Sequence, residues 1–519
     1  MIDATRLLRA HARRRRAQLA ADDAVARQEE QLLRLVRRAA ETPFGRAHDF
    51  GQVRSVADFQ ARVPLRRYED FWRDWWRPRF PRLANVTWPD AIPYFAVSSG
   101  TTSGTSKYIP VSAAMLRANR RAAVDVLTHH VAHRPGSRVL GGKTFLLGGS
   151  TDLKQEAPGI FSGDLSGIAA ASAPWWARFL TFPPPELALM RDWDAKIAAC
   201  IERAAAADIR CITGTPSWLL ILFDRQATAR SAPSTARALY PKLELIVHGG
   251  VNFAPYRSRF EAFLADCHAD LREVYPASEG FIAIADEGSA DGLRLIVDNG
   301  LFFEFVPTTE LAAPAPRRFW LSDVEVGIDY AILLTSCAGL WSYLLGDTIR
   351  FVSRRPPRIV VTGRTSYMMS AFGEHLIGEE LEDAIATAAR AIAADVNDFA
   401  VGAVFPERTG DLGGHLFVVE FAMPLDDVRV AAFADSLDRR LADLNDDYRA
   451  HRAEGVGMAA PRIQPVPPGF FADWMRARGR LGGQNKVPRV INDQQLFADL
   501  RSFVTGHSKS GPRSPPEMG

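Results

Sequence analysis

The sequence predicts an α/β protein with a large N-terminal domain of mixed sheets and helices and a smaller α/β C-terminal domain. Strand-like and helix-like segments alternate, as at 144–147, 195–207, 243–247 and 256–269, which favours buried, largely parallel sheets. A chain of 519 residues is too long for one small core. The run Arg354-Arg355-Pro356-Pro357 interrupts the pattern. We therefore predict domains at 1–355 and 356–505, and a disordered Pro/Ser/Gly-rich tail at 506–519.

The N-terminal region predicts one long helix over about 5–40, ended by Pro43-Phe44-Gly45. It contains the cluster Arg13 to Arg16, which we interpret as a solvated helix face. No aromatic residues interleave with these arginines, so a nucleic-acid or anionic-lipid surface is not favoured. A second helix is predicted over 113–133, where His129 and His133 are four residues apart. Without a nearby third ligand, a surface histidine cluster is favoured over a metal site.

The cysteines and the hydropathy indicate a cytoplasmic protein. The four cysteines, at 200, 211, 267 and 337, are too far apart for Cys-x-x-Cys chemistry and fit reduced thiols. The N-terminus lacks an apolar signal core, and the longest unbroken apolar run, 218–223, is too short to span a bilayer. A net charge of +3 is small for this length. We expect a monomer with no nucleic-acid and no membrane partner.

Hydroxyl groups and glycines crowd a short loop between two apolar runs, 92–97 and 108–111. Close backbone approach at glycine, hydroxyl donors and the compact cation of Lys107 suit a bound triphosphate. The glycine spacing, Gly100 to Gly104, is one residue short of a Walker A loop, so a kinase or GTPase is not indicated. A Ser/Thr/Gly linker is the alternative, but the apolar flanks favour two strands joined by the loop.

Two further loops follow predicted strands, where ligands of α/β sheets bind. In 248–253 the paired glycines Gly249 and Gly250 would let a flat ring lie against the backbone, or they form a tight turn. In 275–281 the Glu279 carboxylate suits the Mg²⁺ that accompanies ATP, or it is a helix cap or surface charge. Asp347 follows a glycine and suits two ribose hydroxyls, although a turn aspartate is favoured on that evidence alone.

In their order, these motifs resemble the adenylate-forming superfamily of acyl-CoA synthetases, peptide-synthetase adenylation domains and luciferases. The five motifs are the loop from Ser98, Tyr275-x-x-Ser278-Glu279-Gly280, Tyr343-x-x-Gly346-Asp347, Gly363-Arg364 and Lys486. Six further motifs resemble one branch of this superfamily, the Gretchen Hagen family of auxin-responsive acyl-acid amido synthetases of plants and their bacterial relatives. They are Thr42-Pro43-Phe44-Gly45, Val63-Pro64-Leu65-x-x-Tyr68-Glu69, Pro216-Ser217-Trp218, Gly249-Gly250-Val251-Asn252-Phe253, Gly373-Glu374-His375-Leu376 and Lys486-Val487-Pro488-Arg489.

The resemblance covers about residues 29–500 and implies an adenylate-forming fold whose C-terminal domain is mobile. It implies Glu279, Lys107 and Lys486 as catalytic residues, with Glu279 holding Mg²⁺ and Lys486 reaching the α-phosphate. It also implies an ATP site made of Ser98, Ser99, Gly100, Thr101, Thr102 and Gly104 at the phosphates, Gly250, Val251, Asn252, Phe253 and Tyr275 at adenine, Ser278 beside the phosphates, Asp347 at the ribose, and Arg364.

Two positions depart from the family pattern. The superfamily often has arginine where this chain has Leu344, and the plant branch often has arginine at the Ser342 position. The role of those arginines is therefore absent here or is taken by Arg350 or Arg364.

The implied activity is ATP-dependent adenylation of a small carboxylic acid, followed by transfer of the acyl group to an amine or amino acid. A thioester ligase acting on coenzyme A or a carrier protein is one alternative. A non-catalytic adenylate-binding protein is another alternative, but a protein that only binds the adenylate does not need Lys486. Aromatic residues near the motifs suggest an apolar or aromatic acid, although core packing explains most of them equally well. They are Trp175, Trp176, Trp218 and Phe281.

Overall fold

The computed structural model describes residues 3–509 apart from a set of short gaps. The gaps are 22, 100–105, 149–152, 189, 191–192, 205, 251–252, 254–255, 288–291, 312, 366–368, 370–375, 377, 406–411, 446–447, 450–451, 453–457 and 479–486.

The chain folds as a large N-terminal unit, which comprises Met1–Ser99 and Thr105–Val361, and a smaller C-terminal unit that begins at Thr362. Both contain sheets covered by helices, so the predicted α/β class with unequal domains is confirmed. The first unit extends six residues past the predicted limit at 355. The reason is that the strand after Pro356 pairs with the large sheet, where Ile359 lies opposite Leu293.

Within the described residues, the helices alternate with strands along most of the chain. They are α1 (Thr5–Ala21), α2 (Ala24–Ala39), α3 (Pro43–Ala47), α4 (Val56–Arg62), α5 (Tyr68–Phe71), α6 (Ala113–His133), α7 (Leu165–Ala171), α8 (Pro185–Ala188), α9 (Trp193–Ala204), α10 (Pro216–Arg230), α11 (Ala236–Leu239), α12 (Arg257–Leu264), α13 (Gly378–Ala391), α14 (Asp427–Leu444), α15 (Phe470–Ala477) and α16 (Gln494–Lys509).

The described strands form three sheets. The strands are β1 (Tyr94–Ser99), β2 (Ser106–Val111), β3 (Lys143–Leu147), β4 (Leu153–Ala157), β5 (Ile160–Gly163), β6 (Thr181–Phe182), β7 (Ile209–Gly214), β8 (Leu245–Gly249), β9 (Asp270–Ala277), β10 (Gly280–Ile284), β11 (Leu293–Leu295), β12 (Leu301–Pro307), β13 (Asp329–Ser336), β14 (Tyr343–Arg354), β15 (Pro357–Arg364), β16 (Val396–Val404), β17 (Gly414–Phe421) and β18 (Arg462–Val466).

The large sheet has eleven strands in the order β12-β13-β14-β15-β11-β10-β9-β8-β7-β3-β6. From β6 to β9 the neighbouring strands are parallel, as predicted for strands that alternate with helices. From β9 to β11 and from β12 to β14 they are antiparallel, and β11 and β15 are also antiparallel. The expectation of largely parallel sheets is therefore wrong for this half, because hairpins rather than helices connect most of its strands.

The predicted single N-terminal helix is two helices. Asp23 caps α2 by accepting a hydrogen bond from the backbone N–H of Val25, and so starts a new helix. The arginine cluster on α1 is only partly solvated: Arg13, Arg14 and Arg16 are exposed, but Arg15 is 6% exposed. Arg15 forms ion pairs with Asp125 at 2.8 Å and Asp298 at 2.7 Å.

Helix α6 has the predicted bounds, and Ser112 caps it through a hydrogen bond from the backbone N–H of Met115. The expected surface histidine cluster is wrong, because His129 and His130 are 4% and 1% exposed. Burial lowers the pKa of His129 to about 4, and His130 hydrogen-bonds to Asp270 at 2.9 Å. Among the described residues, no group of three or more His, Cys, Asp or Glu side chains could hold a metal.

The C-terminal unit places helices on both faces of the sheet β16-β17-β18. Side chains alternate: Phe417 and Val419 pack with α13 and α14, whereas Val418 packs with α15 and α16. Helix α16 continues through Lys509, so residues 506–509 are helical where a tail was predicted. The rest of that tail lies outside the described residues. No helix in the described part of the chain is long and apolar enough to cross a membrane.

Candidate active site

Strands β1 and β2 form the predicted pair of strands around the hydroxyl-rich loop. They are antiparallel, with Ser98 opposite Lys107 and Ser99 opposite Ser106. Lys107 therefore lies on the return strand next to the end of the loop. Loop residues Gly100, Thr101, Thr102 and Gly104 lie outside the described residues.

Tyr68 supports the lysine of this hairpin. The Lys107 Nζ lies 5.6 Å from the centre of the Tyr68 ring, within the range of a cation–π interaction. The Tyr68 hydroxyl accepts a hydrogen bond of 2.9 Å from the backbone N–H of Tyr108. Burial raises the pKa of Tyr68 to about 12, so it remains a neutral phenol. The ring and the hydrogen bond together hold Lys107 at the start of β2.

Ser278 and Glu279 form the two-residue connection between β9 and β10. Glu279 is 8% exposed, which excludes the surface-charge alternative, and it lies between two strands rather than at a helix end. The Tyr343 hydroxyl donates a hydrogen bond of 3.2 Å to Glu279 Oε1. Burial raises the pKa of Glu279, and the charge of Lys107 opposes this shift. The buried carboxylate therefore requires a cation or hydrogen-bond donors around it.

Asp347 lies within strand β14, so the turn alternative is wrong. Gly346 has a φ of +97°, and the register of β13 against β14 shifts between Ala331 and Leu333, opposite this part of β14. The Tyr275 hydroxyl donates a hydrogen bond of 2.5 Å to Asp347 Oδ2. An aspartate from β14 and a tyrosine from β9 are thus brought together over 72 residues of chain.

The two hydrogen bonds form a reciprocal arrangement that we call the crossed tyrosine–carboxylate pairs. Tyr275 and Glu279 lie on the β9–β10 hairpin, whereas Tyr343 and Asp347 lie on β14. Each tyrosine donates to the carboxylate of the other segment. The sequence motifs identified both carboxylates but not their tyrosine partners. The partners are 64 and 72 residues apart along the chain, and no local pattern indicates a contact over that distance.

Gly249 is the last residue of β8, and its missing side chain lets the neighbouring strand β9 pack close to its backbone. A Cβ at Gly249 would lie 2.2 Å from the Val274 carbonyl oxygen, and Gly250 has a φ of +84°. The expected place of Phe253 at the adenine is wrong. Its ring is 2% exposed and stacks on His248 with 3.9 Å between ring centres. The packing assigns the Phe253 ring to the core rather than to adenine. Val251 and Asn252 lie outside the described residues.

Ser342 and Leu344, the two positions that depart from the family pattern, are both buried in the N-terminal unit. Leu344 is buried in a small apolar cluster with Leu333. Ser342 is fully buried, donates a hydrogen bond to Glu304 and accepts one of 2.9 Å from Arg318 Nη1. Arg318 therefore supplies a guanidinium group beside Ser342, a role that the sequence did not indicate.

The other predicted residues lie in different places. Arg350 pairs with Asp329 at 2.8 Å, and Arg364 is the last residue of β15. Lys486 lies outside the described residues. Trp175 and Trp176 are 72% and 53% exposed, so core packing does not explain them.

Three family models match the chain. They are the GH3 family N-terminal domain at residues 13–159, the GH3 family central domain at 294–364 and the GH3 family C-terminal domain at 379–495. Indole-3-acetic acid-amido synthetase GH3.3 of Arabidopsis thaliana is 26% identical over 235 residues, which are 43% of this chain and 39% of that protein. The chain spans about two fifths of the length of this relative and of two others, the indole-3-acetic acid-amido synthetases GH3.4 of Arabidopsis thaliana and GH3.8 of Oryza sativa subsp. indica.

Solved structures share the fold. AtGH3.15 acyl acid amido synthetase in complex with 2,4-DB has a TM-score of 0.75 at 18% identity, covering 93% of this chain and 94% of that chain. 2-Hydroxyisobutyryl-CoA ligase in the postadenylation state in complex with 2-HIB-AMP has a TM-score of 0.59 at 17% identity, covering 92% and 91%. The expected adenylate-forming fold is confirmed.

Proposed function

Because this chain belongs to the GH3 family, the Gretchen Hagen family that its motifs resemble, we propose that it is an ATP-dependent acyl-acid amido synthetase. It activates a carboxylic acid as an acyl adenylate, with release of pyrophosphate, and then transfers the acyl group to the amine of an amino acid, with release of AMP. The observation that carries the proposal is the pair of hydrogen bonds by which Tyr343 holds Glu279 and Tyr275 holds Asp347.

The first step requires activation because a carboxylate is a poor acyl donor at neutral pH. The substrate carboxylate attacks the α-phosphorus of ATP, and pyrophosphate leaves. In this proposal the β1–β2 loop binds the phosphates, and Lys107 offsets the charge that develops there. Tyr275 and Gly250 border the adenine, and the Asp347 carboxylate accepts hydrogen bonds from the ribose hydroxyls.

Glu279 fits a magnesium ligand, since Mg²⁺ takes one or two carboxylates together with phosphate oxygens and water. Its buried carboxylate is oriented by the Tyr343 hydroxyl and lacks the solvent that would otherwise stabilise its charge. When bound, Mg²⁺ would supply positive charge beside the phosphate oxygens. Ser278 would add a hydroxyl on the same connection between β9 and β10.

The C-terminal domain takes part in both steps. We propose that it brings Lys486 to the α-phosphate during adenylation and then rotates, which leaves room for the amine in the second step. We propose a mobile domain that begins six residues after the predicted limit at 355. The pairing of β15 with β11 supports a start for the moving part after Val361.

The substrate acid is proposed to be small and apolar or aromatic. Indole-3-acetic acid, named for the Arabidopsis relative, has an aromatic ring, and apolar ligand surfaces suit apolar pockets. We propose that the protein acts as a cytoplasmic monomer without nucleic-acid or membrane partners. A thioester ligase is the second candidate, since 2-hydroxyisobutyryl-CoA ligase shares the fold.

The test is a pyrophosphate-release screen of carboxylic acids crossed with amino acids, simple amines and coenzyme A. With a suitable acid, ATP and Mg²⁺, hydroxylamine should trap a hydroxamate while AMP accumulates, and a reaction without acid is the control. Product analysis then separates an amide from a thioester. Formation of ADP without AMP would instead indicate an acyl-phosphate ligase and contradict the proposal.

A further inference from the structure

The crossed tyrosine–carboxylate pairs assign Tyr275 a task beyond bordering the adenine. We infer that Tyr275 is a positioning residue whose hydroxyl orients Asp347 toward the ribose, and thereby sets how strongly the enzyme distinguishes ATP from deoxy-ATP. This inference rests on the proposed function, in which Asp347 accepts the ribose hydroxyls.

Tyr275 and Asp347 are in direct contact. Tyr275 is 8% exposed, and its hydroxyl donates to Asp347 Oδ2 at 2.5 Å. A hydrogen bond to an ionised acceptor is shorter and stronger than one between neutral groups. A carboxylate offers about four lone-pair sites over its two oxygens, so a tyrosine on Oδ2 is compatible with acceptance of ribose hydroxyls as well.

The backbone around Asp347 is irregular. Gly346 has a φ of +97°, and the β13–β14 register shifts at this point. A register shift in a sheet changes the direction of the side chains on the irregular strand segment. The Tyr275 hydroxyl, which comes from β9, supplies a fixed direction. Ribose binding then does not have to order the carboxylate, and this ordering would otherwise weaken affinity.

The chain provides two comparison variants. Tyr343→Phe removes the equivalent hydrogen bond from Glu279 rather than from Asp347. Tyr448→Phe removes another tyrosine–aspartate hydrogen bond, from the Tyr448 hydroxyl to Asp438 Oδ1 at 2.7 Å, within the C-terminal unit. Tyr343→Phe tests whether the effect is specific to Asp347. Tyr448→Phe tests the general cost of losing a buried tyrosine hydroxyl.

The experiment measures kcat and KM for ATP, 2′-deoxy-ATP and 3′-deoxy-ATP in pyrophosphate release. Tyr275→Phe keeps the ring, and it should raise KM for ATP about tenfold with little change in kcat, the size expected for one hydrogen bond to a charged group. Its preference for ATP over each deoxy analogue should fall by about the same factor. Tyr343→Phe and Tyr448→Phe should retain the wild-type preference.

Two results would overturn the inference. One is a folded Tyr275→Phe variant, by circular dichroism, that keeps the wild-type preference. The other is an equal loss with ATP and with both deoxy analogues, which would reduce Tyr275 to a packing or adenine residue. Absence of AMP formation by the wild type with every acid would instead count against the proposed function, so the two failures are distinguishable.

Asp347→Asn tests the same contact if Tyr275→Phe proves unstable. The Tyr275 hydroxyl would hold the amide oxygen and turn the amide NH₂ group toward the ribose, where acceptors are needed. Discrimination should then be lost as completely as in Asp347→Ala. Retention of most of the ribose preference in Asp347→Asn would show that Tyr275 does not set the orientation.

Discussion

Arg15→Met should strongly destabilise the N-terminal unit. The guanidinium group donates to Asp125 through Nε at 3.0 Å and Nη2 at 2.8 Å, and to Asp298 through Nη1 at 2.7 Å and Nη2 at 3.0 Å. The two carboxylates are 2% and 10% exposed. Removing the arginine leaves both without their cation in a place that water scarcely reaches.

The magnitude follows from the buried charges that remain. Breaking a buried ion pair by removing one partner costs about 3–5 kcal/mol, because the other charge stays uncompensated. Exposed Arg14 is the matched control, and Arg14→Met should change stability by no more than about 0.5 kcal/mol. Adding Asp125→Asn and Asp298→Asn to Arg15→Met should restore a large part of the loss, since it removes the buried charges.

The pH dependence has a defined sign. Burial alone would raise the pKa of Asp298, but the hydrogen bond and charge of Arg15 lower it overall. Its stabilising contribution is therefore complete above the unfolded value, about 4, and is lost as pH falls through the lower folded pKa. The stability difference between wild type and Arg15→Met should be largest near neutral pH and should shrink in acid.

The assay is urea unfolding followed by tryptophan fluorescence at several pH values. Trp76 and Trp341 are fully buried in the N-terminal unit and report its transition. Equal midpoints for Arg15→Met and Arg14→Met at pH 7 would refute the reasoning. So would a triple variant no more stable than Arg15→Met alone.

Two further predictions concern the reaction. Asp347→Ala should raise KM for ATP steeply while the fold remains intact, because each lost hydrogen bond to a charged acceptor costs about 1.5–3 kcal/mol; an unchanged ATP dependence would remove Asp347 from the ribose site. Lys486→Ala should lose roughly 10²–10³ in the overall rate from free acid, yet convert a supplied acyl adenylate to the amide at nearly the wild-type rate. Equal losses in both assays would mean that Lys486 also serves the second step or only holds the C-terminal domain in place.

Local patterns in the sequence were sufficient for several elements. The apolar runs around the hydroxyl-rich loop predicted strands β1 and β2, and helix α6 has the bounds that its sequence predicted. The ordered motifs identified the family and the fold. These features depend on neighbouring residues, on turn chemistry and on motif spacing, all of which can be read along the chain.

Only the tertiary structure decided which polar side chains are buried and what they contact. Arg15 resembles its exposed neighbours in sequence, but its partner Asp298 is 283 residues away. Tyr275 and Asp347 are 72 residues apart. Phe253 lies in a predicted binding loop, but its ring packs on His248. The sequence by itself therefore determined the family, many elements and the candidate residues, because these follow from local pattern; the partners of those residues depend on chain segments that only folding brings together.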